Sequence, residues 1–405
     1  MLKGRLALAE FRSPVVVICA DGTEPAYVDA AIEHGCMPTL ARFQREGAYH
    51  LVPAAIPSFT NPNNMTIATG RPPAAHGISG NYFYDAQREV EVMMDHPRFL
   101  RCESLFARYS QEGRRVAAIT AKDKLRTMLA TGWRGICFSG ELAHETTEDE
   151  HGIAGVTRRM GRDNPGIYSG QMSDFVMACG VFLVRERLAD LLYLSLTDFV
   201  QHTHAPGTPE ADAFYTALDR RLAELDALGA VILLTADHGM NDKCHPDGTP
   251  NIVYLESLLD GAVPGPIRVV LPITDPHVTH HAGLGSFATV HLPADQVDAA
   301  IERLRDDARI DDALPRDHAA TKYELPGDRI GDIVVLSDRG SVFGRAPGEH
   351  DLSVLSGSRL RSHGGLHEVT VPFASNRRLL PEVEARAGTL RNADAFPVAM
   401  EGLEI

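Results

Sequence analysis

No apolar run in this chain is long enough to cross a bilayer. The opening stretch, MLKGRLALAEFRSP, carries one Lys and two Arg around a short, interrupted apolar run. That is not the pattern of a signal peptide. Excess positive charge is also missing. The formal net charge is −15, which argues against a nucleic-acid surface, since that needs a basic footprint. An anionic substrate must therefore be drawn in by local cations or metals. The six cysteines (Cys19, Cys36, Cys102, Cys137, Cys179, Cys244) are scattered, with no C-x-x-C pair. They read as reduced thiols of a cytoplasmic protein. Cys244, close to a histidine motif, reads as a bystander rather than a ligand. No internal repeat or low-complexity tract is present. Neither a nucleic-acid nor a membrane partner is expected. The oligomeric state stays open, a homodimer among the options.

What is present is an ordinary soluble composition, 44% hydrophobic and 23% charged over 405 residues, ample for a large core and a second unit. Residues 14–20, PVVVICA, form a continuous β-branched run, as a strand buried on both faces does. Similar runs at 190–197 (DLLYLSLT) and 229–236 (GAVILLTA) read the same way. Further strands are expected at 50–56, 115–120 and 133–139. Helices are expected at 26–34, from Pro38 to Gly47, from Thr60 to Gly70, and at 104–112, 173–187 and 209–228. The polar segment 141–169 reads as loop. Strands alternating with helices predict an α/β fold, a parallel-rich sheet sandwiched by helices. The pattern changes over 264–346. A strand at 286–292, a charged helix at 295–307 and strands near 319–325 and 332–336 predict a small inserted α+β cap. Residues 1–263 and 347–405, including a strand at 369–374, then make the core.

The stretch 54–85, AAIPSFTNPNNMTIATGRPPAAHGISGNYFYD, is the one around which chemistry gathers. Thr60 precedes Asn61-Pro62, which suits a helix start. Free N–H groups there favour anions. Taken alone, Thr60 reads as a helix cap. Three carboxylates change that reading. Asp21, Asp198 and Asp237 each follow an apolar strand, where open α/β sheets bind their ligands. His202 lies four residues after Asp198, His238 directly after Asp237, and His363 in SHGG. His204, His245, His280 and His281 do not share the patterning. Carboxylate and imidazole suit Zn²⁺, Mn²⁺ or Fe²⁺. Six such donors plus Thr60 are enough for two metals, which can serve a phosphoryl displacement.

These motifs resemble the alkaline phosphatase superfamily and, within it, the nucleotide pyrophosphatase/phosphodiesterase branch. The resemblance runs from about residue 15 to residue 373. It includes Thr60 before its Pro-Asn helix start, the segment 69–78, and Asn81 ahead of Tyr84-Asp85. More narrowly, SFTNPNN, ICADG, AKDKL, DFVQHTHAPG, ADHGMNDK and SHGG together resemble the phosphonoacetate-hydrolysing members of that branch. The resemblance implies one zinc on Asp198, His202 and His363, and another on Asp21, Asp237, His238 and the Thr60 oxygen. It implies Thr60 as nucleophile, Asn81 as a phosphoryl-oxygen donor, and Lys122 and Lys124 as substrate contacts. Along an extended chain, alternation would point both lysines the same way, with Asp123 opposite; a K-x-K pair is otherwise usually solvated surface. The implied reaction cleaves a carbon–phosphorus bond through phospho-threonine. The alternatives are a phosphodiesterase or nucleotide pyrophosphatase with the same metals and nucleophile, a phosphomutase, and a binding protein holding a structural ion. Structural zinc sites are closed and often thiolate-rich, unlike this set.

Overall fold

The structure, a computed structural model, describes residues 13–167, 169–273, 282–355 and 358–404. Five apolar segments lie side by side as parallel strands, in the order Val231–Thr235, Val15–Cys19, Leu191–Ser195, Val116–Thr120, Ile136–Ser139. Every residue in them is buried, which is why they read as continuous apolar runs rather than alternating ones. Thr370–Ser375 runs antiparallel between Val231–Thr235 and the edge strand Ala48–Pro53. Helices cover both faces. Tyr27, Leu40, Phe175 and Leu222 fill one layer; Met65, Phe106, Met128 and Phe396 fill the other. Among the described residues no helix is long and apolar enough to cross a membrane.

Two expectations need correction. Segment 141–169 is not plain loop. It holds a short 3₁₀ turn, Ala143–Glu145, and the helices Glu148–His151 and Val156–Met160. Helices this short carry too little periodicity to stand out. In the inserted unit, the strand expected near 319–325 is displaced. Arg316–Lys322 is a helix that follows Pro315, and the strand is Ile310–Pro315. A register shift between Ile310 and Asp312 breaks the two-residue alternation there. The unit is a four-stranded antiparallel sheet, in the order Arg268–Val270, Phe287–His291, Ile333–Ser337, Ile310–Pro315. Ile273, Phe287 and Leu336 from it share a cluster with Ile56 and Phe59. The Phe59 and Phe287 rings meet edge to face at 6.0 Å. The inserted sheet is thus seated on the segment that delivers Thr60.

The helix Thr60–Thr69 is held in part by His76, which is fully buried. Its Nδ1 accepts from the Ile78 N–H at 3.2 Å, so its Nε2–H donates to Thr66 Oγ1 at 3.0 Å. Burial lowers its pKa from 6.5 to about 3. The unfolded chain therefore takes up a proton here that the folded chain refuses. The stability this group contributes is full above about pH 6.5 and falls as pH drops towards 3. From about pH 7.5 to pH 5.5 the metal-free protein should lose about 1.4 kcal/mol through this group. Thermal melts of wild type and His76→Gln across that range test it. Equal pH dependence in the two proteins would refute the assignment.

Candidate active site

Asp237, Asp21 and Asp198 leave the C-terminal ends of Val231–Thr235, Val15–Cys19 and Leu191–Ser195. These strands are immediate neighbours, so their carboxylates converge at one sheet edge. Two groups result, with ligand atoms within 4.8 Å of one another: Asp198, His202 and His363, and Asp21, Asp237 and His238. All six residues are buried.

The three imidazoles are turned alike. Nδ1 of His202 faces the Arg361 carbonyl at 2.8 Å, that of His238 the Gly239 carbonyl at 2.9 Å, and that of His363 the Ser58 carbonyl at 2.8 Å. A carbonyl only accepts, so each Nδ1 carries the proton and each Nε2 presents a lone pair inward. Inside, acceptor faces acceptor. His202 Nε2 lies 2.9 Å from Asp198 Oδ2, and His238 Nε2 lies 3.3 Å from Asp21 Oδ1. Asp21 Oδ1 is buried with no hydrogen-bond partner. The His238 and His363 rings stack at 3.6 Å. Burial, with His238 and His202 beside it, holds the His363 imidazole well below its usual pKa. Burial, with Asp198 and Asp237 nearby, pushes the Asp21 carboxyl well above the usual range. Buried lone pairs crowded in this way are what divalent cations satisfy, and the donor types fit Zn²⁺, Mn²⁺ or Fe²⁺. The expected consequence is a stoichiometry of two ions, falling towards one in His363→Ala. Metal analysis of the purified variant checks this, and unchanged stoichiometry with full activity would refute it.

Thr60 is the first residue of the helix Thr60–Thr69, with Phe59 as its extended N-cap. Its Oγ1 lies 3.2 Å from His238 Nε2. The hydroxyl is aimed at a ligand group rather than at its own helix. Sequence reasoning missed Asn64, which is buried one turn on. Its Nδ2 donates to the Thr60 carbonyl at 3.0 Å and to Asp237 Oδ2 at 3.1 Å. Its Oδ1 accepts from Tyr193 and Ser195 at 2.6 and 2.8 Å. Asn64 thereby locks Asp237 to the helix that carries Thr60. An Asn inside a helix without capping use was the signal available.

One cavity is lined by Thr60, Asp21, Asp198, His202 and His363 together with Asn81, Lys122 and Lys124. Asn81 stands before the hairpin Tyr82–Asp85/Val90–Met93. It is pinned to the inserted unit, its N–H on the Pro272 carbonyl and its Nδ2 on the Ile273 carbonyl, both at 2.8 Å. The lysines do not alternate along an extended chain, as expected for AKDKL. Lys122 caps and Lys124 enters the helix Asp123–Leu129. Asp123 turns away, to Arg126 at 2.6 Å and Ser139 at 2.8 Å. Both lysines nevertheless reach the same cavity. Lys122 is near enough to favour the charged forms of Asp21 and Asp198. Among the described residues, His204, His245 and Cys244 belong to neither metal group; the Cys244 thiol accepts from the Leu360 N–H at 3.1 Å. His280 and His281 lie outside the described residues.

Residues 15–367 match the family described as type I phosphodiesterase/nucleotide pyrophosphatase. Phosphonoacetate hydrolase from Sinorhizobium meliloti 1021, crystallised with phosphonoformate, is 49% identical with a TM-score of 0.91, covering 96% of this chain and 95% of that one. Its complex with phosphonoacetate matches over the same extent with a TM-score of 0.90. Murine ectonucleotide pyrophosphatase/phosphodiesterase 5 shares the fold at 16% identity, with a TM-score of 0.63 over 96% of this chain and 94% of that one. An uncharacterised pyrophosphatase/phosphodiesterase of Schizosaccharomyces pombe is 40% identical over 78 residues, 18% of this chain; the chain spans 15% of the length of that curated relative. The chain belongs to the type I phosphodiesterase/nucleotide pyrophosphatase family of the alkaline phosphatase superfamily, and it is an enzyme of that family.

Proposed function

We propose that the chain hydrolyses phosphonoacetate to acetate and phosphate, with two divalent ions, Zn²⁺ first among them, and a phospho-Thr60 intermediate. The observation that carries this reading is 49% identity over 96% of the chain to a phosphonoacetate hydrolase. Asp198, His202 and His363 would hold one ion, and Asp21, Asp237 and His238 with the Thr60 oxygen the other. When bound, such ions supply positive charge that lowers the hydroxyl pKa of Thr60 and meets charge on the phosphoryl oxygens.

The Thr60 hydroxyl gives up its proton, and its oxygen forms a bond to phosphorus as the carbon–phosphorus bond breaks. The electron pair passes to the methylene carbon and delocalises into the neighbouring carboxylate as an enediolate. Lys122 and Lys124 meet that charge, and protonation at carbon gives acetate. Water then cleaves phospho-Thr60, releasing phosphate and restoring the hydroxyl. Asn81, already held by the Ile273 carbonyl through Nδ2, would direct its other amide hydrogen to a phosphoryl oxygen.

Residues 264–346 would act as a cap on a core made of 1–263 and 347–405. Ile273 on the cavity wall supports that role, and so does the packing on Phe59. The cap would restrict the site to small substrates. The six unpaired thiols fit a cytoplasmic setting.

Phosphate release from phosphonoacetate, phosphonopyruvate, a nitrophenyl phosphodiester and a nucleotide tests the reading. Turnover should be fastest on phosphonoacetate. Turnover of the diester or the nucleotide with none on phosphonoacetate would overturn it in favour of a phosphodiesterase.

A further inference from the structure

We propose that Arg361 is a positioning residue that sets the spacing between the two halves of the metal centre. Arg361 is buried, at 6% exposure. Its Nε donates to the Gln201 carbonyl at 2.9 Å and its Nη2 to the Met240 carbonyl at 3.1 Å. Gln201 adjoins His202, a donor of one group; Met240 lies two residues beyond His238, a donor of the other. The backbone carbonyl of Arg361 accepts from His202 Nδ1 at 2.8 Å. Arg361 also begins the two-residue strand Arg361–Ser362, which delivers His363 and pairs with Asn241–Asp242 beyond His238. One residue thus touches all three segments that carry the histidines.

The chemistry suits arginine and no other cation. A planar guanidinium with five donors reaches two carbonyls on different segments at fixed angles; a lysine ammonium is a point charge on a flexible stem. Among the described residues, Arg361 forms no ion pair with a carboxylate. Its charge is met by carbonyls, by the face of Tyr27, 5.6 Å from the guanidinium carbon, and at longer range by the Glu24 and Asp242 carboxylates. Tyr27 reinforces the same joint, its hydroxyl 3.0 Å from the Gln201 carbonyl and 2.6 Å from that of His204. The guanidinium does not line the substrate cavity, so its effect passes through the histidines. Arg361 sits one shell outside the donors, where loss of an orienting group typically weakens metal binding about 10- to 100-fold.

The proposal rests on the two-ion reading above. The test measures zinc affinity of metal-free wild type, Arg361→Met and Arg361→Lys by competition with a chromogenic chelator. Phosphonoacetate kinetics of the reloaded proteins accompany it. Leu222→Ala, a buried change in the outer helix Pro209–Ala227, controls for loss of stability alone. Both zinc equivalents should weaken about tenfold or more in Arg361→Met and in Arg361→Lys, although their donors are different residues. kcat should fall with KM little changed. Leu222→Ala should melt lower yet keep wild-type zinc affinity. If Arg361→Met does not fold, Arg361→Lys decides. Wild-type zinc affinity in the folded Arg361 variants overturns the proposal. So does weakening no greater than in Leu222→Ala. Failure of wild type to take up two ions would instead overturn the two-ion reading, and this proposal with it.

Discussion

Thr60→Ala should abolish phosphate release from phosphonoacetate, by about 10³-fold or more, while the folded protein still takes up divalent metal. The loss is that large because the hydroxyl would be the bond-forming atom, and removing a nucleophile removes a whole step rather than one contact. The fold should survive. The helix Thr60–Thr69 is anchored by Asn64 through the Thr60 backbone carbonyl, not through its side chain. The Asp237 carboxylate keeps its bonds to Asn64 and to the Gly22 and His238 N–H groups at 3.1, 3.3 and 3.1 Å. Five buried donors besides His238 also remain, so metal uptake should persist. Thr60→Ser keeps the hydroxyl but drops the methyl that restricts its rotamer, and should retain partial turnover. Phosphate release, metal content and melting temperature on the same samples separate these outcomes. Wild-type turnover by Thr60→Ala would replace the phospho-threonine route with direct attack by water.

The sheet was legible because its strands are buried on both faces. VVVIC, LLYLS and VILLT have no alternative use as surface, and the aspartate closing each run stands at a shared edge once the strands are parallel neighbours. Five of the six clustered residues, all but His363, were legible for the same reason, since a carboxylate after an apolar strand and a histidine one or four places on are local patterns. What holds the donors was not legible. Ser58, Gly239 and Arg361 orient the three imidazoles through backbone carbonyls, and a carbonyl has no residue type to betray it. Asn64 is a local residue whose partners Tyr193 and Asp237 are distant in the chain. Ile310–Pro315 hid behind two aspartates and an irregular register. The lysines show the opposite case. Their backbone was misread as extended, yet a strand end followed by a helix start brought both to the cavity.

Lys122→Ala and Lys124→Ala should each lower kcat/KM for phosphonoacetate by about 10²-fold or more, the scale of losing one contact to developing charge. The argument turns on the leaving group. An acetate carbanion is stable only as its enediolate, whose charge sits on the carboxylate oxygens at the end remote from phosphorus. Both lysines line the cavity that Thr60 opens into. A nitrophenyl ester departs as a stable phenolate and asks nothing of them. The same variants should therefore keep most of any activity on an activated ester. Equal losses on both substrates would mean that the lysines hold structure or phosphoryl oxygens. No loss on either would return them to solvated surface and put the phosphodiesterase reading ahead.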